Sequence, residues 1–409
     1  MKNPAQTQLL ARACAVLLLS TLSGLAQDGS WEKLELPASG KAVWQDKSRT
    51  DGIDHEEPRL AADAEGRLYF SNASTLLIGS DGGARWEEYA LPNVTLPLNR
   101  GFLLAAGGQG NVIWATKYSQ NGGKSWETLP LYTVEGAFGS NRNGGFLMGG
   151  RNDQILRMNE PFINWELVYE GHQNFGYIYQ FANSDPYNMA AMGFDAVYVS
   201  VDTGGTWDPL DSHGMGLSGR SANTMALEPR LGGNLWLAPR SRLSSDKALR
   251  RVNMLTRIPE MVAGFVPDSS VNVIRVSSDG AIWLGTWGQG VWVSRDEGKT
   301  FAAQNTGLNS VYVKALQETS DGLMFALTPT GLFRLRGTGS GVRPTPARRN
   351  LGPRKAFLYL PGLPGLPGVS GHGPGSPSFF LINGRQAGSI PLLAPKEPES
   401  NLTHKETNP

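Results

Sequence analysis

The sequence predicts an all-β chain, a seven-bladed β-propeller followed by a Gly/Pro-rich C-terminal tail. Three observations point there. An aromatic residue closing a short Ser, Asp and Gly motif recurs about every forty residues. The segments between are short, rich in β-branched and aromatic residues, and broken by turn residues; helical periodicity is nearly absent. The 409 residues are ample for one large domain with its own core.

The chain opens on MKNPAQTQLLARACAVLLLSTLSGLAQ, with basic Lys2 and Arg12, an apolar run from Ala13 to Leu22 and the small-x-Ala pattern Gly24-Leu25-Ala26. Residues 1–26 read as a secretory signal peptide. Their apolar run is too short to span a bilayer, which needs about twenty residues, and no later run is long enough. The expectation is a secreted, periplasmic or cell-surface protein without a transmembrane span. Cys14, the only cysteine, lies inside the leader, so the mature chain has no disulfide and must draw its stability from packing and sheet closure. The 37 basic and 36 acidic residues nearly cancel, and removing Lys2 and Arg12 leaves about −1, which speaks against a nucleic-acid partner.

The clearest motif copies are Ser200-Val-Asp202-Thr-Gly-Gly-Thr-Trp207 and Ser294-Arg-Asp296-Glu-Gly-Lys-Thr-Phe301. Ser119-Gln-Asn121-Gly-Gly-Lys-Ser-Trp126 substitutes Asn for Asp, and Gly79-Ser-Asp81-Gly-Gly-Ala-Arg-Trp86 keeps Asp81, Gly83 and Trp86. Weaker is Arg157-Met-Asn159 with Trp165. Successive tryptophans at 86, 126, 165 and 207 lie 40, 39 and 42 residues apart, and Phe301 follows after 94, room for two units of which one has lost its motif. Ser244-Ser-Asp246 sits near that missing place. Chemistry is done once per domain whereas scaffolding repeats, so these residues read as turn formers: an acceptor for turn amides, a glycine for left-handed backbone, and an aromatic wedge under a hairpin.

This pattern resembles the Asp-box, or BNR, repeat of sialidases, sortilin-type receptors, xyloglucanases and photosystem II assembly factors, over roughly residues 57–310. The resemblance implies a propeller in which each box joins the two outer strands of a blade, with Asp81, Trp86, Asn121, Trp126, Asp202, Trp207, Asp296 and Phe301 in structural roles. It implies no particular function.

Units are expected at 57–92, 101–130, 138–171, 179–213, 222–257 and 271–306. A last unit at 311–337, VYVKALQE, LMFALTP and GLFRLRG, lacks a fourth strand. DGSWEKLELP, at 28–37, resembles RWEEYALP and KSWETLP and supplies the missing strand, closing the ring and removing its open edge. If the weak fifth unit is only an insertion, the ring has six blades. Beyond 337 the Pro- and Gly-rich run reads as linker, followed by AFLYL and FFLI-Asn383-Gly384 as a small β-module or a disordered tail.

With the motif turns on one face, the ligand-binding mouth is expected on the other, built by loops between second and third strands and between blades. The first set offers Asn72, Arg151, Asp153, Asp195, Arg240, Arg242 and Trp287; the second offers His55, Arg100, Glu135, His172, His213 and Arg220. The run Asp51 to Glu57 reads as an acidic solvated loop in preference to a metal or acid–base site. His172, Tyr177 and Tyr179 suit stacking on a sugar ring, or else begin an inner strand. Arg151, Arg220, Arg240 and Arg242 could converge on an anion, though surface arginines are the blander reading. Arg257-Ile258-Pro259 matches the core of the sialidase signature, but follows the good motifs where sialidases place it before them. It reads as accidental.

The function these features support is a non-catalytic, monomeric binding module that takes a glycan or protein partner through its mouth, with no metal or cofactor. The alternative is a glycoside hydrolase, sialidase-like or xyloglucanase-like, using Asp195, Asp153 or Glu135. It requires two carboxylates facing across the mouth at about 5–5.5 Å or about 6.5–9.5 Å.

Overall fold

A computed structural model describes residues 29–41, 59–71, 74–93, 104–129, 136–140, 145–159, 164–171, 176–183, 188–210, 217, 222–230, 232–239, 249–262, 271–337, 356–360 and 378–382. The chain divides into two compact units, Met1–Thr338 and Gly339–Pro409.

The first unit is a ring of seven four-stranded antiparallel sheets. Strand β1 (Ser30–Lys33) belongs to the last of them. Blade 1 contains β2 (Arg59–Ala62), β3 (Leu68–Ser71), β4 (Thr75–Ser80) and β5 (Arg85–Ala90). Blade 2 contains β6 (Leu104–Ala106), β7 (Val112–Trp114), β8 (Lys117–Ser119) and β9 (Glu127–Thr128). In blade 3 are β10 (Phe138–Ser140), β11 (Phe146–Gly149), β12 (Ile155–Met158) and β13 (Glu166–Tyr169). Blade 4 has β14 (Gln180–Asn183), β15 (Met189–Met192), β16 (Val197–Ser200) and β17 (Asp208–Pro209). Blade 5 has β18 (Ala222–Leu227), β19 (Asn234–Pro239), β20 (Leu249–Asn253) and β21 (Pro259–Val262). Blade 6 follows with β22 (Val271–Val276), β23 (Ile282–Thr286), β24 (Val291–Ser294) and β25 (Ala302–Ala303). Blade 7 is composite: β26 (Ala315–Glu318), β27 (Met324–Thr328) and β28 (Gly331–Arg336), with β1 outermost. Among the described residues the second unit holds one hairpin, β29 (Ala356–Leu360) with β30 (Ser378–Ile382). Among the described residues no helix is long and apolar enough to cross a membrane.

First strands of successive blades touch one another in a closed circuit, β2 to β6 and on to β26 and back, so they surround the axis. Each second strand is then sandwiched between neighbouring blades. Residues 68–71, 146–149, 189–192, 282–286 and 324–328 are accordingly buried throughout and read as near-continuous apolar runs, three of them ending in Ser71, Thr286 or Thr328. Outermost β5 is mostly exposed. Among the described residues there is no single central core. The buried side chains form seven clusters, one in each interface between blades, from the cluster of Tyr69, Leu76 and Trp114 (blades 1 and 2) to that of Leu68, Phe70 and Phe325 (blades 7 and 1).

The recurring motif shapes the turn between third and fourth strands. In blade 4 Asp202 Oδ1 accepts from the backbone N–H of Gly205 (3.0 Å) and Thr206 (2.9 Å), and the Ser200 hydroxyl donates to it at 2.8 Å. The Thr206 hydroxyl donates to Oδ2 at 2.8 Å, and Gly204 N–H donates to the Ser200 hydroxyl at 2.9 Å. Blade 6 repeats this through Ser294, Asp296, Gly298 and Thr300. Blade 2 does so through Ser119, Asn121, Gly123 and Ser125. The second residue after the acid has positive φ in each copy (Gly83 80°, Gly123 86°, Gly204 80°, Gly298 82°). A Cβ there would also sit 2.7 Å from Leu34 at Gly83, 2.7 Å from Leu76 at Gly123 and 2.8 Å from Trp236 at Gly298, all in the preceding blade. Glycine is therefore required twice, by backbone and by packing. Asp81 departs from the pattern, pairing with the Arg85 side chain.

Blade 5 is complete although its motif is absent, which settles the ring at seven. Ser244 to Asp246 lie outside the described residues. The outer turn comes later, where Asn253 Oδ1 accepts from Leu255 N–H (3.0 Å) and Thr256 N–H (3.1 Å) in an Asx turn.

These turns predict an acid response. Burial works against ionisation at Asp202 and Asp296, but their hydrogen bonds from Thr206, Ser200 and Gly205, and from Thr300 and Ser294, hold both below the ordinary aspartate value of 3.8. A depressed folded-state pKa contributes stability that is present above 3.8 and lost as pH falls through the folded value. Urea unfolding followed from pH 5 to pH 2 should therefore show a steeper loss in the parent than in the Asp202→Asn/Asp296→Asn variant. Parallel acid limbs would refute it.

Candidate functional site

Because strands alternate in direction, second-to-third-strand loops and inter-blade segments share the face opposite the motif turns. Two of these loops are bonded in the same way to the segment leading into the next inner strand. Arg151 bridges Tyr177, three residues before β14, and Trp287 bridges Tyr312, three residues before β26. The two junctions, blades 3/4 and 6/7, are three blades apart in a ring of seven.

At the 3/4 junction, Arg151 to Gln154 forms a tight hairpin turn with Asn152 and Asp153 at φ 58° and 59°, the double left-handed geometry of a type I′ turn. Arg151 is exposed at its shoulder and Tyr177 half-buried. Asp153, by contrast, is fully buried. Its carboxylate accepts from the Tyr198 hydroxyl (3.0 Å) and Phe194 N–H (3.0 Å), both in blade 4. Asp153 as a catalytic carboxylate is thus corrected: it is sealed between blades and cannot meet a ligand. Burial raises the Tyr198 pKa and the Asp153 charge adds to it, so the phenol keeps its proton and donates. Asp195 is exposed at the tip of the neighbouring loop, beside Phe194, whose ring lies 6.4 Å from that of Tyr179.

The 6/7 junction is stitched on every side. Val311 carbonyl accepts from Gly288 N–H (3.0 Å) and Gly290 N–H (2.8 Å), and Val313 N–H donates to Thr286 carbonyl at 2.9 Å. The Thr286 hydroxyl caps the loop, donating to Gly290 carbonyl (2.7 Å) and accepting from Gln289 N–H (3.0 Å). Asn305 and the Trp292 indole N–H fasten Gln289 carbonyl from beneath. On this frame the half-buried Trp287 ring meets Tyr312 edge-on at 5.1 Å and 62°, and Lys314 Nζ stands 4.4 Å from the Trp287 centroid. Tyr312 is 37% exposed and Val311 47%.

Inside the ring, polar side chains of one inner strand bond to the backbone of the next. Gln180 exchanges two 3.0 Å bonds with Met225, Asn272 donates to Val313 carbonyl at 3.1 Å, and Arg275 donates to Leu316 carbonyl at 2.9 Å. Burial, with Asp279 adding to it, raises the pKa of Glu318, which holds Ser278 of blade 6. These groups tie blades together around the axis.

Glu135, His172, Arg220, Arg240 and Arg242, with Asn72, His55, Arg100 and His213, lie outside the described residues. Arg257 sits on the face of the motif turns and pairs with Asp208 at 3.0 Å. Tyr312 and Lys314 were not singled out from sequence, since VYVKALQE reads as one continuous strand. Their signal was positional, the shared three-residue offset of Tyr177 and Tyr312 from an inner strand. Among the described residues no group of three His, Cys, Asp or Glu side chains could hold a metal.

No protein-family model matches the sequence, and no curated protein does. Solved structures do share the fold. A structure described as YCF48 bound to D1 peptide superposes with TM-score 0.53 at 15% identity, covering 76% of this chain and 97% of that one. A streptogramin B lyase gives 0.55 at 12%, covering 76% and 98%. A GH74 xyloglucanase from Xanthomonas campestris gives 0.51 at 14%, covering 77% of this chain and 55% of that chain, so this protein spans about half its length. Identities this low establish a shared propeller and nothing narrower.

Proposed function

We propose that this chain is an exported binding module that engages a glycan or protein partner through the face opposite its motif turns. The carrying observation is the contrast between the two junctions: Asp153 is sealed away, whereas the Trp287 and Tyr312 rings are displayed on a rigid frame. Preorganised aromatic surface lowers the ordering cost of binding and suits recognition better than turnover. The structure described as YCF48 bound to D1 peptide supports a peptide as one class of partner for such a propeller. Export rests on the leader at residues 1–26.

Partner capture from a glycan array and a peptide library, followed by hydrogen-exchange footprinting, tests the reading. Protection is expected at 286–291 and 311–314 and not at the motif turns around Asp202 and Asp296. Protection confined to those turns would refute it. Turnover of a chromogenic glycoside that disappears in Asp195→Asn would replace it with the hydrolase reading.

A further inference from the structure

Among the described residues every blade ends in an outermost strand with an open edge, and most of these edges are guarded. Strands β9, β17 and β25 are two residues long, β5 carries Glu87 and Glu88, and β1 carries Glu32 and Lys33. In blade 5 the edge differs. Met261 on β21 is exposed, and the turn leading into that strand adds exposed Leu255 and Ile258. Both charged side chains of the segment 255–262 are answered within the chain: Glu260 pairs with Arg251, and Arg257 with Asp208. Among the described outermost strands only β13 otherwise shows a large exposed apolar residue, Leu167.

The hydrogen-bonding pattern sets the direction of this edge. Met254 N–H donates to Gly233 carbonyl, so Arg250, Val252 and Met254 bond toward β19, and Leu249, Arg251 and Asn253 toward β21. Glu260 and Val262, opposite Arg251 and Leu249, are thereby turned inward. Met261 is left with its N–H and carbonyl pointing away from β20. Directly opposed residues of an antiparallel pair share one face, so a strand pairing with its own copy about a two-fold axis must centre on a single residue. Centring on Glu260 would set two carboxylates against each other. Centring on Met261 sets thioether against thioether and lets each Met261 N–H reach the other carbonyl.

We propose that β21 is a dimerisation edge, at which two copies of this chain pair Met261 against Met261 in an antiparallel, isologous contact flanked by Leu255 and Ile258. A second copy fits this edge because the register is self-complementary and no like-charge repulsion opposes it. The segment 255–262 is internally paired, and the mature chain carries a net charge of about −1. Three exposed side chains and one four-residue edge fall short of the roughly 1,200 Å² that a standard interface buries, so the dimer is weak and reversible. It departs from the monomer expected from sequence and is independent of what the mouth binds.

Sedimentation equilibrium of the whole mature chain tests it, over a range from about 1 to about 300 μM. A monomer–dimer equilibrium with a Kd of about 10–100 μM is expected. Met261→Lys and Met261→Glu each set like charges against each other across the axis and should weaken association by about tenfold. An equimolar mixture of the two should restore a heterodimer about as tight as the parent dimer. That rescue separates pairing at Met261 from general stickiness of the surface. Leu167→Lys, on the other apolar edge, should leave the dimer unchanged. Thermal melts within a few degrees of the parent exclude misfolding at these exposed positions. A parent that stays monomeric over the whole range overturns the proposal. So does a mixture that associates no better than its components, or a dimer lost in Leu167→Lys and kept in Met261→Lys.

Discussion

Trp31→Ala should lower the unfolding free energy by about 3–5 kcal/mol, the range for removing a large buried aromatic side chain. Trp31 is 3% exposed although it stands on the outermost strand of its blade. Its ring packs with Ala281, Trp283, Val291 and Phe333, meeting Trp283 edge-on at 6.5 Å, so one side chain joins blades 6 and 7. Its indole N–H donates to Gln304 carbonyl at 2.7 Å, and Gln304 returns a bond to Gly29 carbonyl at 2.8 Å. Phenylalanine would keep most of the apolar burial and orphan only the Gln304 acceptor, so Trp31→Phe should cost about 1–2 kcal/mol. Deleting residues 29–37 goes further. It removes the whole of β1, exposes the β28 edge and invites edge-to-edge association. Urea titration with light scattering reads all three variants. A Trp31→Ala protein within about 1 kcal/mol of the parent would refute the closure argument, since burial alone predicts more.

Ring closure was legible because outer strands repeat. DGSWEKLELP carries the same Trp-polar-polar-x-x-Leu-Pro order as RWEEYALP after the first tight turn, with a shorter form in KSWETLP, and it sits at the far end of a chain whose last blade lacked one. Seven blades were readable because a fixed set of side chains, Ser and Asp two residues apart with Gly at the left-handed position, has few substitutes. Where a substitute exists the pattern disappears. Asn253 bonds two amides as Asp202 does, yet no Ser precedes it and no Gly follows, so attention moves to residues 244–246 instead.

A second regularity went unread. The residue directly after an inner strand accepts a bond from an aromatic in the next strand: Asp63 from Tyr69 (2.9 Å), Glu228 from Trp236 (3.0 Å) and Ser277 from Trp283 (3.0 Å). The acceptor varies among Asp, Glu and Ser and the spacing between six and eight residues, so the sequence shows no motif although the geometry is shared. Side-chain identity is conserved for turns with one solution and free where several side chains can accept one hydrogen.

Exposure of loop residues was the least legible quantity. Arg151, Asp153, Asp195 and Trp287 all occupy second-to-third-strand loops, and only distant parts of the chain decide which face solvent. Asp153 is covered because Gly171 and Gly193 let the chain close over it: a Cβ on Gly171 would overlap the Asn152 backbone, and one on Gly193 would lie 2.6 Å from the Asp153 carboxylate.

Asp153→Ala should accordingly be destabilising by about 3–5 kcal/mol. Two buried donors, the Tyr198 hydroxyl and Phe194 N–H, would lose a charged acceptor, each at about 1–3 kcal/mol. Alanine at φ 59° adds about 1 kcal/mol, since aspartate and asparagine tolerate this backbone better. Asp153→Asn keeps the backbone preference and one acceptor oxygen, and its amide can donate to a rotated Tyr198 hydroxyl, so about 1–2 kcal/mol is expected. Tyr198→Phe removes one donor and should fall between them. This order, Ala worst and Asn mildest, is the signature of an inter-blade pin. A carboxylate acting on a ligand would give the opposite result, with Asn leaving stability intact and function lost. Urea midpoints and partner affinity, measured on the same three variants, separate the two: affinity of the folded protein should stay constant while the midpoint falls. A stable Asp153→Asn protein that no longer binds would return Asp153 to the site.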